Sequence, residues 1–155
     1  MAVTHGVLGL DLARVWGWAY VDQRGEYVAS GYRSLPNDGD RGKGGHYLAL
    51  AIADLVTEFG PDFIAVEKPN SQHYGAARNL FGYATVAAMT AHVHELGYQE
   101  LVRSDCYKRV VGKGNAKKLA GLTWARQFKP LCNSDDESDA ILVAFAAHQL
   151  RSAKK

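Results

Sequence analysis

Apolar residues in the first third of the chain fall into short runs and alternations, and later recur at helical spacing. In "HGVLGLDLA", Val7, Leu8 and Leu10 form a brief apolar run that stops at Asp11, the pattern of a buried strand ending on an acid. "VWGWAYVD" sets Trp16, Trp18 and Tyr20 on one face and Val15, Ala19 and Val21 on the other, so its aromatics read as core and sheet-face packing. "EYVASGYRSL" follows an Arg24-Gly25 turn, and three strands joined by two short turns predict an antiparallel meander. "PNDGDRGKGG", residues 36–45, has no apolar side chain and reads as a loop. Leu48, Ile52, Leu55, Val56 and Phe59 then predict a helix from about His46 to Phe59, stopped by Gly60-Pro61. "DFIAVE" is a second short strand ending on an acid, Glu67.

An Ala- and Gly-rich helix is expected over residues 74–96, and "QELVRS" reads as a fifth strand. Lys108–Gly114 is expected to be a brief helix or turn, and Asn115 to about Phe128 a further helix, broken by Lys129-Pro130. A last helix runs from Asp135 to about Ser152. A meander followed by alternating helices and strands, with no internal repeat or linker, predicts an α/β fold: a five-stranded mixed sheet flanked by helices.

Composition adds boundaries. At 155 residues and 47% hydrophobic, residues 1–155 suit a single domain with a real core. No apolar run approaches the roughly 18 residues of a membrane span, and the N-terminus lacks the pattern of a secretory leader, so a cytoplasmic protein is expected. Cys106 and Cys132 show no metal or redox spacing and are expected to be reduced. The net charge of +2 says little, but Arg103, Lys108, Arg109, Lys113, Lys117 and Lys118 are opposed over their stretch only by Asp105. Such a run either contacts phosphates or forms a solvated face.

The sharpest local feature is "CNSDDESDAILVAFAAH", residues 132–148, with four acids in five positions. Ser134 and Glu137 fit a capping box, and acids in a first turn suit the helix dipole. Asp139 does not fit that account. It lies in line with Leu142, Val143, Ala146 and Leu150, on the face expected to meet the sheet, with Asp136 about one turn earlier. A buried carboxylate needs a partner, and a lysine or a divalent cation would serve. If the strands ending at Asp11 and Glu67 are neighbours, their carboxylates emerge near the start of this last helix. Four hard oxygen ligands suit Mg²⁺ or Mn²⁺, and two such ions support phosphodiester hydrolysis. Asp135, four residues before Asp139, is ambiguous between site and surface. His92 and His94, two apart on a helix, read as surface residues, whereas His73 lies closer to Glu67 in the sequence.

With these residues in place, nearly the whole chain resembles the RuvC family of Holliday-junction resolvases, within the RNase H-like nucleases. "GLDLARVWGWAYVD" resembles the family's opening strand, "IAVEKP" its second acidic strand, "VVGKGNAKK" its basic turn and following helix, and "DDESDAILVA" its final acidic helix. The resemblance implies an RNase H-like fold and metal-ligand places at Asp11, Glu67, Asp136 and Asp139 for two Mg²⁺ ions, with Mn²⁺ a substitute. It places Lys118 beside the active site, where it could stabilise charge on phosphate. It also implies a four-way DNA junction as partner, cut by paired nicks from a homodimer formed through helix 74–96. The small residues of that helix would equally seat it on its own sheet. Lys108, Arg109, Lys113, Lys117, Arg78 and Tyr74 are the further candidates for DNA contact. The "VVGKGNAKK" turn is not a Walker A loop, since no GK[ST] follows at the needed spacing.

Departures from the family pattern are specific. The opening motif lacks Pro-Gly after the aspartate and is a residue shorter before Gly17. Asn70 stands where an aromatic that wedges into the junction is often found, leaving Tyr74 or Phe81 as substitutes. The lysine before "VVG" is shifted by one, to Lys108. Such changes would suit a shortened or phage-type member. The alternatives are a less selective RNase H-like nuclease for branched or flap DNA or RNA, and a junction-binding module without catalysis. An actin-like sugar kinase shares the opening strand pattern, but the chain lacks room for its second domain.

Overall fold

A computed structural model of the protein describes residues 6–70 and 74–154, with side chains described again from Ala77. Five strands, β1 (Val7–Asp11), β2 (Val15–Val21), β3 (Tyr27–Ser34), β4 (Phe63–Glu67) and β5 (Gly97–Leu101), form one sheet in the order β3-β2-β1-β4-β5. The β1–β2–β3 meander is antiparallel, while β4 runs parallel to both β1 and β5. The five-stranded mixed sheet flanked by helices is therefore as the alternation of apolar runs predicts.

The helices are α1 (Arg41–Phe59), α2 (Tyr74–Val93), α3 (Arg103–Val110), α4 (Lys118–Ala125) and α5 (Asp135–Ser152). Strand parity assigns each side chain to one layer. Leu8, Leu10, Trp16, Ile64 and Val66 pack with Leu48, Ile52 and Leu55 of α1 and Ala87 and Ala91 of α2. The opposite parity, with Val7, Ala19, Val21 and Ala65, packs against α5. α5 lies over the centre of the sheet, which is why ten of its residues, Glu137–Ala144 with Ala146 and Ala147, are buried. Cys106 and Cys132 are both free and buried, in separate clusters.

Several boundaries differ from expectation: α2 ends at Val93 rather than at 96, and the brief helix or turn expected over Lys108–Gly114 is α3, which begins at Arg103 and ends at Val110. α1 begins at Arg41, inside the polar stretch read as loop, because Asp40 caps it by accepting from the Lys43 N–H at 2.9 Å. Gly44 is buried in that first turn. β5 starts at Gly97 and ends at Leu101, and Arg103 opens α3 at once; "QELVRS" is thus half strand and half helix. α4 is shorter than 115–128, and its C-terminal end passes into turns at Phe128 and Lys129.

Candidate active site

Parity carries Asp11 and Glu67 to the same place. Each follows a small residue two positions back, Gly9 and Ala65, on the α5 face, and Leu10 pairs with Val66 across parallel β1 and β4. Both carboxylates therefore leave the same end of adjacent strands on the same face. α5 reaches them because two glycines remove the Cβ atoms that would hold it off. A Cβ on Gly9 would lie 2.6 Å from the Ala140 carbonyl oxygen, and one on Gly17 would overlap the Asp136 carbonyl. Gly17 is the register partner of Asp11, so the tightest approach of helix to sheet is beside that acid. Asp139, in the second turn of α5, closes the group: Asp11, Glu67 and Asp139 each offer an oxygen within 4.8 Å of the others. Asp136 stands outside that triad, half-buried, with its charge acting on Asp11 and Glu67 and that of Asp139 acting on it.

The crowding shows in the acids' protonation. Burial, then the charges of Glu67, Asp139 and Asp136, push the Asp11 carboxyl well above the usual range. Burial and Asp139 raise Glu67 to about 7, against the pull of Arg103 and Lys118. Asp136 and Asp139 are also raised, chiefly by burial. Among the described residues no salt-bridge partner meets Asp11 or Glu67. Partly buried carboxylate oxygens that repel one another, all hard donors, have the composition of a divalent-cation site.

The neighbouring acids are sorted differently. The capping box is half made: Ser134 Oγ accepts the Glu137 N–H at 3.2 Å, but the Glu137 side chain turns inward. There it accepts from Ser30 Oγ at 2.6 Å and pairs with Lys129, tying the start of α5 to β3. Asp135 is exposed, with Lys118 Nζ 3.5 Å from its Oδ2. Asp139 has its own support. The buried Tyr107 hydroxyl donates to Asp139 Oδ1 at 2.7 Å, and Arg103 Nε lies 3.8 Å from Oδ2. Gly121 makes room for that hydroxyl, which a Cβ would overlap.

No family model matches the chain. Single relatives do. The crossover junction endodeoxyribonuclease RuvC of Neisseria meningitidis serogroup A is 32% identical over 159 residues, spanning 98% of this chain and 89% of that protein. The chain belongs to the RuvC family. RuvC of Gluconacetobacter diazotrophicus is 31% identical over 95% of this chain and 92% of its own. Among solved structures, Thermus thermophilus RuvC superposes with a TM-score of 0.80 at 15% identity, covering 95% of this chain and 96% of that one. Its complex with a Holliday junction substrate reaches 0.84 at 14% identity, covering 96% of each chain. The RuvC-type, RNase H-like layout of the sheet and helices is thus shared throughout.

The remaining candidates of this RuvC-family chain spread around the cluster. Lys118 opens α4, and its charge acts on Asp11, Glu67, Asp136 and Asp139. Lys113 and Lys117 are exposed in the turn before it, where Gly112 takes a φ of 96°. Lys108 and Arg109 are exposed and line a cavity of about 700 Å³ with Glu100 and Gln149, on the side of α3 away from Tyr107. Arg78 and Phe81 are exposed on α2. His73 and the Tyr74 side chain lie outside the described residues. Asn70 lines a small cavity of about 80 Å³ with Asp11 and Glu67. Sequence reasoning missed Tyr107, and counted Arg103 only as part of a charge run. Their spacing of four on one helix was the available signal, hidden because residues 99–104 read as strand.

Proposed function

We propose that the protein is a metal-dependent, structure-selective endonuclease that resolves four-way DNA junctions by paired symmetric nicks. The observation that carries this reading is the convergence of Asp11, Glu67 and Asp139 within 4.8 Å in a chain of the RuvC family. Asp11, Glu67, Asp136 and Asp139 would hold two Mg²⁺ ions, with Mn²⁺ as substitute. When bound, the ions supply an activated water and stabilise the leaving oxygen.

The protein's own residues hold and orient the substrate. In the reaction, a water oxygen forms a bond to phosphorus, one phosphorus–sugar oxygen bond breaks, and the water's proton ends on the released hydroxyl. Lys118 faces charge developing on the phosphate. Lys108, Arg109, Lys113, Lys117, Arg78 and Tyr74 are assigned to the junction arms, where phosphate contacts position the duplex. Pairing of the nicks calls for two copies. Ala84 and Ala87 are buried, so part of the small-residue set seats α2 on its own sheet. Phe81, Met89 and Val93 remain exposed at spacings of four and eight along α2, and this stripe is the face assigned to a second copy. Residues 1–155 would act as one nuclease domain in the cytoplasm, nucleoid-associated or, if phage-encoded, in the host.

Cleavage of a labelled four-way junction tests the reading, beside linear duplex and flap controls, with Mg²⁺ or a chelator. Asp139→Asn is expected to lose more than about 100-fold in cleavage, beyond the usual cost of an outer-shell partner, while still binding the junction. Full cleavage by Asp139→Asn or by Glu67→Gln would sink the site assignment. A second reading, a less selective RNase H-like nuclease, draws on Asn70 in place of the wedge aromatic. Equal cutting of junction and flap would favour it.

A further inference from the structure

Within that proposed site one cation is held differently from the others. Lys118, 69% exposed, pairs among the described residues only with Asp135 at the surface. Lys108, Arg109, Lys113 and Lys117 are exposed and make no ion pair among the described residues. Arg103 is half-buried, its guanidinium carbon 4.1 Å above the centre of the Tyr107 ring and its Nε 3.8 Å from Asp139 Oδ2. Tyr107 is itself fixed, buried with its hydroxyl on Asp139 Oδ1. One aromatic side chain thus holds a carboxylate of the triad by its edge and a guanidinium by its face.

We propose that Arg103 binds the scissile phosphate, and that Tyr107 is the positioning residue that aims it; this rests on the nuclease reading above. At 3.8 Å the Arg103–Asp139 contact is longer than a good charge-assisted hydrogen bond, so the guanidinium is retained by the ring and its donors are not used up by the carboxylate. A guanidinium presents five N–H donors in a rigid fork, which matches two non-bridging phosphate oxygens. When a divalent cation neutralises the triad, Arg103 keeps its stacking partner and is left beside the phosphate that cation attracts. A lysine could not stack in the same way, and Arg103→Lys is therefore not a conservative change.

The test combines single-turnover cleavage, junction binding and Mn²⁺ binding by calorimetry. Arg103→Ala is expected to cut the saturated single-turnover rate about 100-fold, the usual cost of removing one transition-state donor, while junction affinity changes less than about threefold. Mn²⁺ affinity of Arg103→Ala should equal or exceed that of the unaltered protein, because a competing cation has gone. Free guanidinium at non-denaturing concentration should restore part of the rate in Arg103→Ala and none in Arg103→Ala/Tyr107→Leu, which has lost the platform. Tyr107→Phe should keep the platform but lose Mn²⁺ affinity, about tenfold, as an outer-shell hydrogen bond to a ligand does. A cleavage rate for Arg103→Ala within threefold of the unaltered protein overturns the proposal and leaves the nuclease reading standing. So does a loss of Mn²⁺ affinity large enough to explain the slower rate, which would make Arg103 a support of the metal site alone. No junction cleavage by the unaltered protein, with Mn²⁺ bound, overturns the nuclease reading and Arg103's role together.

Discussion

Glu67 shows at the residue scale what it means to gather acids before a cation arrives. Its carboxyl ordinarily titrates near 4.5 and here is raised to about 7, by burial and by Asp139. Between those values the metal-free folded protein binds more protons than the unfolded chain, so its stability falls as pH rises through that window. The contribution of Glu67 is on the order of 3 kcal/mol across the window. Chelated protein is therefore expected to melt at lower temperature at pH 7.5 than at pH 5.5, and the difference should shrink when Mg²⁺ or Mn²⁺ is added. Cation binding near pH 7 should also release protons, which calorimetry in buffers of different ionisation enthalpy would detect. A melting temperature that rises from pH 5.5 to 7.5 without metal would contradict the raised carboxyls.

At the scale of elements, the site depends on how closely α5 lies on the sheet. Gly17→Ala should displace the first turn of α5, because the new methyl would overlap the Asp136 carbonyl. The expected cost is about 1–3 kcal/mol in stability, as for other overpacked sites. Cleavage should fall about 100-fold, since an ångström of misplacement separates Asp136 and Asp139 from the strand-end acids. Thermal melting and single-turnover cleavage of the same variant check both. The sequence shows this arrangement only in part. Short apolar runs ending at Asp11 and Glu67 are visible because strand parity is local, and the Asp136/Asp139 spacing is visible because helix periodicity is local. That β1 and β4 are neighbours is a fact of topology, and no single run reveals it. The inward turn of Glu137 is hidden for a related reason: Ser30 lies 107 residues away and Lys129, though only eight residues before it, sits across the turn that follows α4, whereas the capping box is a rule within one helical turn. Similarly, the strand expected over residues 99–104 runs two residues into α3, because Leu101 and Val102 are apolar right up to Arg103, where the helix begins.

For the whole molecule, paired nicking requires two of these sites in a fixed relation. The exposed stripe of Phe81, Met89 and Val93 lies on α2, across the sheet from α5. Met89→Asp/Val93→Asp should convert a dimer to a monomer by light scattering, with melting temperature little changed because both side chains are solvent-facing. Such a monomer should still nick one strand of a junction but lose the near-simultaneous second cut. An unaltered protein that is monomeric with and without DNA would remove the paired-nick model.

Glu137 and Asp139 are two residues apart, yet their charges are met on different timescales. Lys129 belongs to the same chain as Glu137 and stays within its reach, whereas a cation at the triad would come from solvent. The tie between α5 and β3 thus needs no exchangeable ion, and the helix that carries Asp136 and Asp139 is held to the sheet by contacts of the chain itself. Permanence for the scaffold and turnover for the chemistry are separated by a single residue, Ser138.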